Sequence, residues 1–307
     1  MSDDRRTVPS VIGLGEVLWD LFPNSRQPGG ATANVAFHTT QLGCIGAVAS
    51  RVGDDELGRE LRDYLIAHGL ETSLVQDDDE APTGTVTVEL TDDGHHFVIH
   101  EDVAWDRLAW TPSLQAAIRS ADAICFGTLG QRSPLARETI QQCLWEASDD
   151  CLLVFDVNVR QHFYDRMLIE RSLQSAKMVK LNAEEVTLLA ELLEWPSGDL
   201  ASFASRVRDN FGVELVCITR GEHGCWIGSE TECVDVLGLP VQVVDTVGAG
   251  DAFTAALIVA QLRGWPLRDS AEFANQVGAL VASRRGAMPE LVKEYNGLCD
   301  RFQRRES

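Results

Sequence analysis

Val241-Gln242-Val243-Val244-Asp245-Thr246-Val247-Gly248-Ala249-Gly250-Asp251-Ala252-Phe253 is the stretch on which the fold turns. Its first half reads as an apolar strand ending at Asp245 and its centre as a Gly-Ala-Gly loop. A helix then opens near Asp251, with Phe253, Ala256, Leu257 and Ala260 on one face. Such a strand-to-helix turn leaves the N–H groups of Ala249, Gly250 and Asp251 free, a positive-ended hole suited to phosphoryl oxygens. Asp251 is also a favoured N-cap type, but capping alone explains neither glycine.

Outward from this turn the same alternation recurs. Gly29-Gly30-Ala31-Thr32-Ala33-Asn34-Val35-Ala36 stands directly before a helix over Ala33 to Leu42, which Gly43 closes. A second helix, Leu57 to His68, is closed by Gly69. Strands read at Val11 to Leu14 and Ile45 to Ser50. Short continuous apolar runs, the mark of strands buried on both faces, follow at Ala123 to Phe126, Leu152 to Phe155, Val179 to Leu181 and Leu215 to Thr219. Helical stretches at Pro134 to Ala147, Ala183 to Leu193 and Leu200 to Phe211 separate them. The class is α/β, with a mostly parallel central sheet between two helical layers. One segment breaks the pattern: Thr83 to Leu90 alternates strictly, Asp92-Asp93-Gly94 supplies a turn, and His95 to His100 returns. That is a half-exposed antiparallel hairpin lying off the main sheet. The acidic run Asp77 to Glu80 reads as a solvated loop.

With 307 residues the chain suits one large domain or two modest ones. Hydrophobic residues at 45% and charged residues at 24% match an ordinary globular protein with a full core. The formal charge of −21 repels phosphate backbones and anionic lipid, so neither nucleic acid nor membrane is an expected partner. Only three of the 26 cations are lysines (Lys177, Lys180, Lys293), which removes most lysine chemistry from consideration. The eight cysteines form no CxxC pair, and several lie in apolar runs, as reduced core thiols do. The polar start MSDDRRTVPS lacks an apolar signal region, so a cytoplasmic location is expected. A Walker site is excluded because no lysine follows a glycine, and Gly13-Leu14-Gly15 lacks the third glycine of a dinucleotide site, Leu18 standing there. No GxSxG or HExxH occurs. His95, His96 and His100 lie in the hairpin, where a metal site has little support.

Eight segments in order (GEVLWD, GGATANVA, RVGDDELG, FDVNVR, LNAEEV, ITRGEHG, DTVGAGDAF and RRGAMP) resemble the ribokinase-like sugar kinases, the phosphofructokinase-B group, over nearly the whole chain. Within the group the chain looks most like bacterial fructokinases. The resemblance implies a single ribokinase-like domain over residues 1–307, with a β lid formed by about 16–34 and 83–106. It implies a kinase moving the γ-phosphoryl group of ATP to a primary hydroxyl of a monosaccharide. Asp251 would be the general base beside the anion hole of Gly248, Ala249 and Gly250. Sugar contacts would fall on Asp20, Gly30 and Asn34, with Asn158 and Arg160 of the DxNxR element. Asn182, Thr219, Gly221, Gly224 and Asn275 fall on the nucleotide side. Glu185 would order the water shell of Mg²⁺. Asp245 borders a loop that holds a monovalent cation in some members, which brings in K⁺. The lid would close over the sugar and exclude water, and its outer face could serve as a homodimer contact.

Two departures bear on substrate: Glu101 stands where fructokinases usually carry an arginine, and Thr32 replaces a frequent proline. Fructose is the leading expectation, with ribose, a ketodeoxy sugar acid or a nucleoside behind it. A catalytically silent kinase-like binding protein would have lost the base or the anion hole, and a dehydrogenase would need the missing glycine.

Overall fold

The apolar runs assigned to buried strands lie side by side at the centre of the molecule. The computed structural model describes residues 8–91 and 94–305. Its strands are β1 (Ser10–Leu14), β2 (Leu18–Phe22), β3 (Ser25–Gly29), β4 (Ile45–Gly53), β5 (Val75–Asp78), β6 (Thr85–Thr91), β7 (Gly94–Ile99), β8 (Ala123–Gly127), β9 (Leu152–Asp156), β10 (Met178–Asn182), β11 (Leu215–Thr219), β12 (Cys225–Gly228) and β13 (Cys233–Val236). Its helices are α1 (Ala31–Gln41), α2 (Glu56–Ala67), α3 (Pro112–Ser120), α4 (Pro134–Glu146), α5 (Arg166–Ser175), α6 (Ala183–Leu192), α7 (Leu200–Phe211), α8 (Ala249–Leu262), α9 (Leu267–Ala282) and α10 (Val292–Gln303).

Nine strands form one sheet in the order β13-β12-β11-β10-β9-β8-β1-β4-β5. All neighbours from β11 to β5 are parallel, and β12 and β13 add an antiparallel edge. Helices α3 to α7 cover one face, where Leu114, Ile140, Leu173, Leu189 and Val207 join a cluster with Ile12, Phe126 and Phe155. On the other face α1, α8, α9 and α10 pack Val35, Leu257, Val277 and Tyr295 with Val11, Cys125 and Val154. α1 lies hard against the strands: a Cβ on Gly13 would stand 2.0 Å from the Thr32 carbonyl oxygen. Gly13 is therefore needed for helix–strand packing, which accounts for it without a dinucleotide. Strands β3-β2-β6-β7 make a separate small sheet. Its β6–β7 hairpin is antiparallel, with Val86 opposite Ile99 and Val88 opposite Phe97; the Asp92-Asp93 part of its expected turn lies outside the described residues, as do the first seven residues.

One sequence expectation fails and another holds only in part. Val241 to Asp245 is no strand; it is an exposed loop between β13 and α8, with Val243 58% and Val244 53% exposed. The N–H groups of Val244 and Asp245 go to the Ala282 carbonyl at the end of α9 (2.9 and 3.2 Å), so β-branched alternation here has no strand to pair with. The acidic run is only in part a solvated loop: Asp79 and Glu80 are an exposed bend, but Asp77 and Asp78 end a strand. Asp78 ends β5 fully buried, ion-paired to Arg51 at 2.9 Å and accepting the N–H groups of Glu80 and Ala81.

β1 lies between β4 and β8, so successive strands leave it in opposite directions. In such sheets a crevice opens at the carboxyl ends of the strands, at this switch point. The small sheet stands over that crevice.

Candidate active site

α8 begins where the sequence places it. Gly248 is its N-cap with φ +76°, a left-handed conformation that favours glycine. The Ala249 N–H is not free, however, because it donates to the Thr246 carbonyl at 3.2 Å. The expected anion hole narrows to the N–H groups of Gly248, Gly250 and Asp251, which no backbone carbonyl among the described residues accepts.

α1 begins at Gly30 (φ +108°) without a side-chain cap. Its helix brings Asn34 to the start of α8, where Nδ2 donates to Asp251 Oδ2 at 2.7 Å. This bond joins two groups 217 residues apart in sequence. The Asn34 Oδ1 is buried without a partner, an acceptor awaiting a donor. Burial, then the Asp156 carboxylate, raises the Asp251 pKa; Asn34, Lys180 and Arg160 oppose the shift. The helix N-terminus alone does not set this group, and a raised carboxylate pKa makes a stronger base.

Three residues missed by sequence reasoning surround this pair. Lys180, one of the dismissed lysines, lies buried with Nζ 3.3 Å from where a Gly250 Cβ would stand, directly beneath the turn. It pairs with Asp156 at 3.1 and 3.2 Å, and Asp156 also accepts the Thr254 hydroxyl at 2.8 Å. Burial pushes the Lys180 ammonium down, but Asp156, Glu185 and Asp251 more than offset it and hold its pKa above the usual lysine value. Glu16, third of the three, is buried; its Oε1 accepts the Ala31 N–H at 3.0 Å and caps α1 in place of a side chain on Gly30. Its Oε2 has no partner. Burial raises the Glu16 pKa to about 7, with Asp251 adding and Arg160 opposing.

Asp20 on β2 faces the same crevice across Gly29, where a Cβ would stand 2.6 Å from its Oδ2. Burial raises its pKa to about 6, again opposed by Arg160. Arg160 itself is exposed, and Asn158, two residues before it, holds φ +38°. The next residue, Gln161, donates from Nε2 to the Phe97 carbonyl of β7 at 2.9 Å and so ties this loop to the small sheet. Glu101 is exposed; the arginine beside it in space is Arg132, bidentate to Asp106 at 2.8 Å and 3.9 Å over the Trp105 ring.

Of the remaining candidates, two lie at the ends of β10 and β11, two in the turn that follows, and two on or beside α9. Asn182 and Thr219 are register partners there. Asn182 caps α6 through the Glu185 N–H (2.9 Å); Glu185 Oε2 accepts the Asn182 N–H (2.8 Å) and Oε1 the Val159 N–H (3.0 Å). That is a complete capping box, and each oxygen keeps a lone pair. Gly221 and Gly224 form the turn into β12, where a Cβ on Gly224 would strike the Val236 carbonyl at 2.0 Å. Asn275 on α9 donates to the Leu237 carbonyl at 3.3 Å and tethers the exposed loop before α8. Asp245 braces that loop, accepting the N–H groups of Val247 and Gly286 at 3.0 Å each. Sugar-side candidates and the base are therefore brought together around Asn34–Asp251, and the nucleotide-side candidates run from the strand ends to α9.

Comparison with known proteins follows the same lines. The pfkB family carbohydrate kinase model matches residues 15–293. The uncharacterized sugar kinase of Pyrococcus horikoshii is 31% identical over 301 residues, covering 90% of this chain and 91% of that protein. Its structure superimposes with a TM-score of 0.80 over 95% of this chain and 99% of that one, and it has also been solved with ATP. A fructokinase of Salmonella typhimurium is 30% identical over 306 residues, 91% of this chain and 94% of that protein. The aminoimidazole riboside kinase of Salmonella enterica, solved with aminoimidazole riboside and an ATP analog, is 26% identical with a TM-score of 0.80, covering 94% and 99% of the two chains.

Proposed function

The chain belongs to the pfkB family of carbohydrate kinases, with the ribokinase-like fold, and from that premise we propose that it is an ATP-dependent sugar kinase acting on a primary hydroxyl, with fructose as its sugar. The observation that carries this reading is the Asn34–Asp251 hydrogen bond, which places a carboxylate base beside open helix-start N–H groups. In this reading the sugar oxygen attacks the γ-phosphorus, its proton passes to Asp251, and the bond to the ADP oxygen breaks. The N–H groups of Gly248, Gly250 and Asp251 face the charge on the transferring group, with the Lys180 ammonium fixed below. Asp20, Gly30, Asn34, Asn158 and Arg160 hold the sugar; Asn182, Thr219, Gly221, Gly224 and Asn275 line the nucleotide side.

Among the described residues no group of three or more His, Cys, Asp or Glu could hold a metal by itself. Mg²⁺ would come in on nucleotide phosphates with its waters, a shell that the remaining lone pairs of Glu185 fit. Such an ion would neutralise phosphate charge. A K⁺ ion would belong to the loop that Asp245 braces. The cytoplasmic location and a homodimer through the lid complete the proposal; all eight cysteines are free and seven are buried, which suits a reducing compartment.

Fructokinase relatives support fructose, and the charge around the base favours a neutral sugar: Glu16, Asp20, Asp156 and Asp251 face Arg160 and Lys180, a poor host for a sugar acid. An ADP-release assay over a panel of sugars tests this. Fructose is expected to give kcat/KM at least about tenfold above ribose, or about 1.4 kcal/mol in transition-state binding. Preference for ribose, a nucleoside or a sugar acid would replace the sugar and keep the kinase; no turnover on any of them would point to a silent binding protein.

A further inference from the structure

α1 carries three polar side chains at helical spacing, Asn34, His38 and Gln41, which share one face. Asn34 holds the base. His38 is fully buried, with Nε2 2.9 Å from the Ala287 carbonyl oxygen and Nδ1 2.9 Å from the Tyr295 hydroxyl of α10. A carbonyl only accepts, so Nε2 carries the proton, and Nδ1 accepts from Tyr295. Gln41 donates to the Pro289 carbonyl at 2.9 Å and accepts the Leu291 N–H at 2.5 Å. Together His38 and Gln41 pin residues 287–291 from one side.

The other side of this segment touches the catalytic turn. A Cβ on Gly248 would stand 2.6 Å from Ala287 Cα and 2.8 Å from its carbonyl oxygen, so the two backbones are in direct contact. The neighbouring Gly286 N–H holds Asp245 at 3.0 Å. Met288 is buried in one cluster with Trp19 of the small sheet and Phe37 of α1. The segment is thus a wedge between α1, the foot of the lid and the turn that opens α8.

We propose that His38 is a positioning residue for phosphoryl transfer: through the Ala287 carbonyl it holds the wedge against Gly248 and thereby fixes the anion hole and Asp251. The inference rests on the kinase reading. Its physical basis is the tolerance of the chemistry, since a misplacement of about 1 Å can cost about 10²-fold in rate. Loss of the bond would let the wedge relax and leave Gly248 without backing.

The test compares full-length His38→Leu, Tyr295→Phe and His38→Gln with Leu173→Ala, which opens a cavity on the opposite face of the sheet. Positioning predicts that His38→Leu lowers kcat by about 10- to 100-fold while the sugar KM stays within about threefold. Amide hydrogen exchange at Val247, Ala249 and Ala252, whose N–H groups are bonded across this turn, should rise about tenfold or more in the same variant. His38→Gln can still donate to Ala287 and should recover much of both losses. Leu173→Ala should lower Tm yet leave kcat and that exchange near wild type. If His38→Leu instead matches Leu173→Ala, with only Tm reduced, the residue merely packs and the proposal falls. Should His38→Leu fail to fold, Tyr295→Phe decides, with kcat down about three- to tenfold supporting the clamp and an unchanged kcat overturning it. Exchange needs no turnover, so a wild-type protein inactive on every sugar would defeat the kinase reading while the clamp is still judged.

Discussion

The two flanks of the Gly248 turn are built on opposite plans. Beneath the small sheet, buried Glu16 and half-buried Asp20 and Asp251 sit in the drier of the two surroundings, and their pKa values all rise. On the other flank, the proposed nucleotide side, the chain exposes Leu237 (81%) and Val243 (58%), and the polar groups are backbone groups and strand-end side chains. In the proposed reaction a stronger carboxylate base serves proton transfer, and burial, by raising the Asp251 pKa, supplies it at a cost in stability. In the proposed function an exposed apolar shelf would offer a nucleotide a surface without ionised groups. Substitutions on the dry flank should therefore move rates and pH profiles.

The largest effect is expected at the base. Asp251→Asn keeps the shape and still offers an oxygen to Asn34, but it cannot take a proton. Its kcat should fall about 10²- to 10⁴-fold, or roughly 3–5 kcal/mol of barrier. Sugar and ATP affinities should change little, and stability should shift by only a fraction of that, since the Asn oxygen still accepts the bond from Asn34. A folded variant keeping more than about a tenth of wild-type kcat would show that the dry flank does not supply the base.

Next in size is the cost of dryness itself. Glu16 has its pKa raised from 4.5 to about 7 in the folded protein. A raised folded pKa means stability fully present below the unfolded value and lost as pH rises through the folded one. Between about pH 4.5 and 8.5 wild type should therefore lose up to about 3 kcal/mol through this group. Glu16→Gln keeps an acceptor for Ala31 and has no charge to bury, so it should lack that loss. Denaturant unfolding at both pH values measures it. Equal slopes in the two proteins would show that the buried Glu16 oxygen is not a burden.

This contrast also marks what could be read in advance. The Gly248–Asp251 turn and the Gly30–Asn34 start were legible because paired glycines directly before a helical pattern have few other uses, whether a strand or a loop leads in. Lys180 and Asp156 were not: each is one charge in an apolar run, and only the register that sets β10 beside β9 makes them partners. Glu16 was quoted in its motif, yet its role depends on the Ala31 N–H fifteen residues on. Val241 to Val244 misled because alternating β-branched residues look alike in a strand and on an exposed shelf. The Ala249 N–H could not be scored without the Thr246 carbonyl that takes it.

The smallest expected effect concerns how the dry flank is closed. The foot of the small sheet is anchored: Trp19 Nε1 donates to the Leu57 carbonyl at 3.0 Å, Arg26 pairs with Glu60, and the Trp19 N–H meets the Gly84 carbonyl at 3.0 Å. Farther out, the Gln161 side chain joins the Phe97 carbonyl across the crevice. A sugar filling the crevice should order this outer part and leave the foot as it is. Amide exchange at Val86, Val88 and Phe97 should then slow by about five- to tenfold, or about 1 kcal/mol of added protection, while the Trp19 amide stays constant. Gln161→Ala should speed exchange at Phe97 in the free protein and narrow the difference between Phe97 and the free hairpin. Identical exchange with and without a verified substrate would mean that the lid is already seated, and that the dryness of this flank belongs to the resting protein and is not produced by closure.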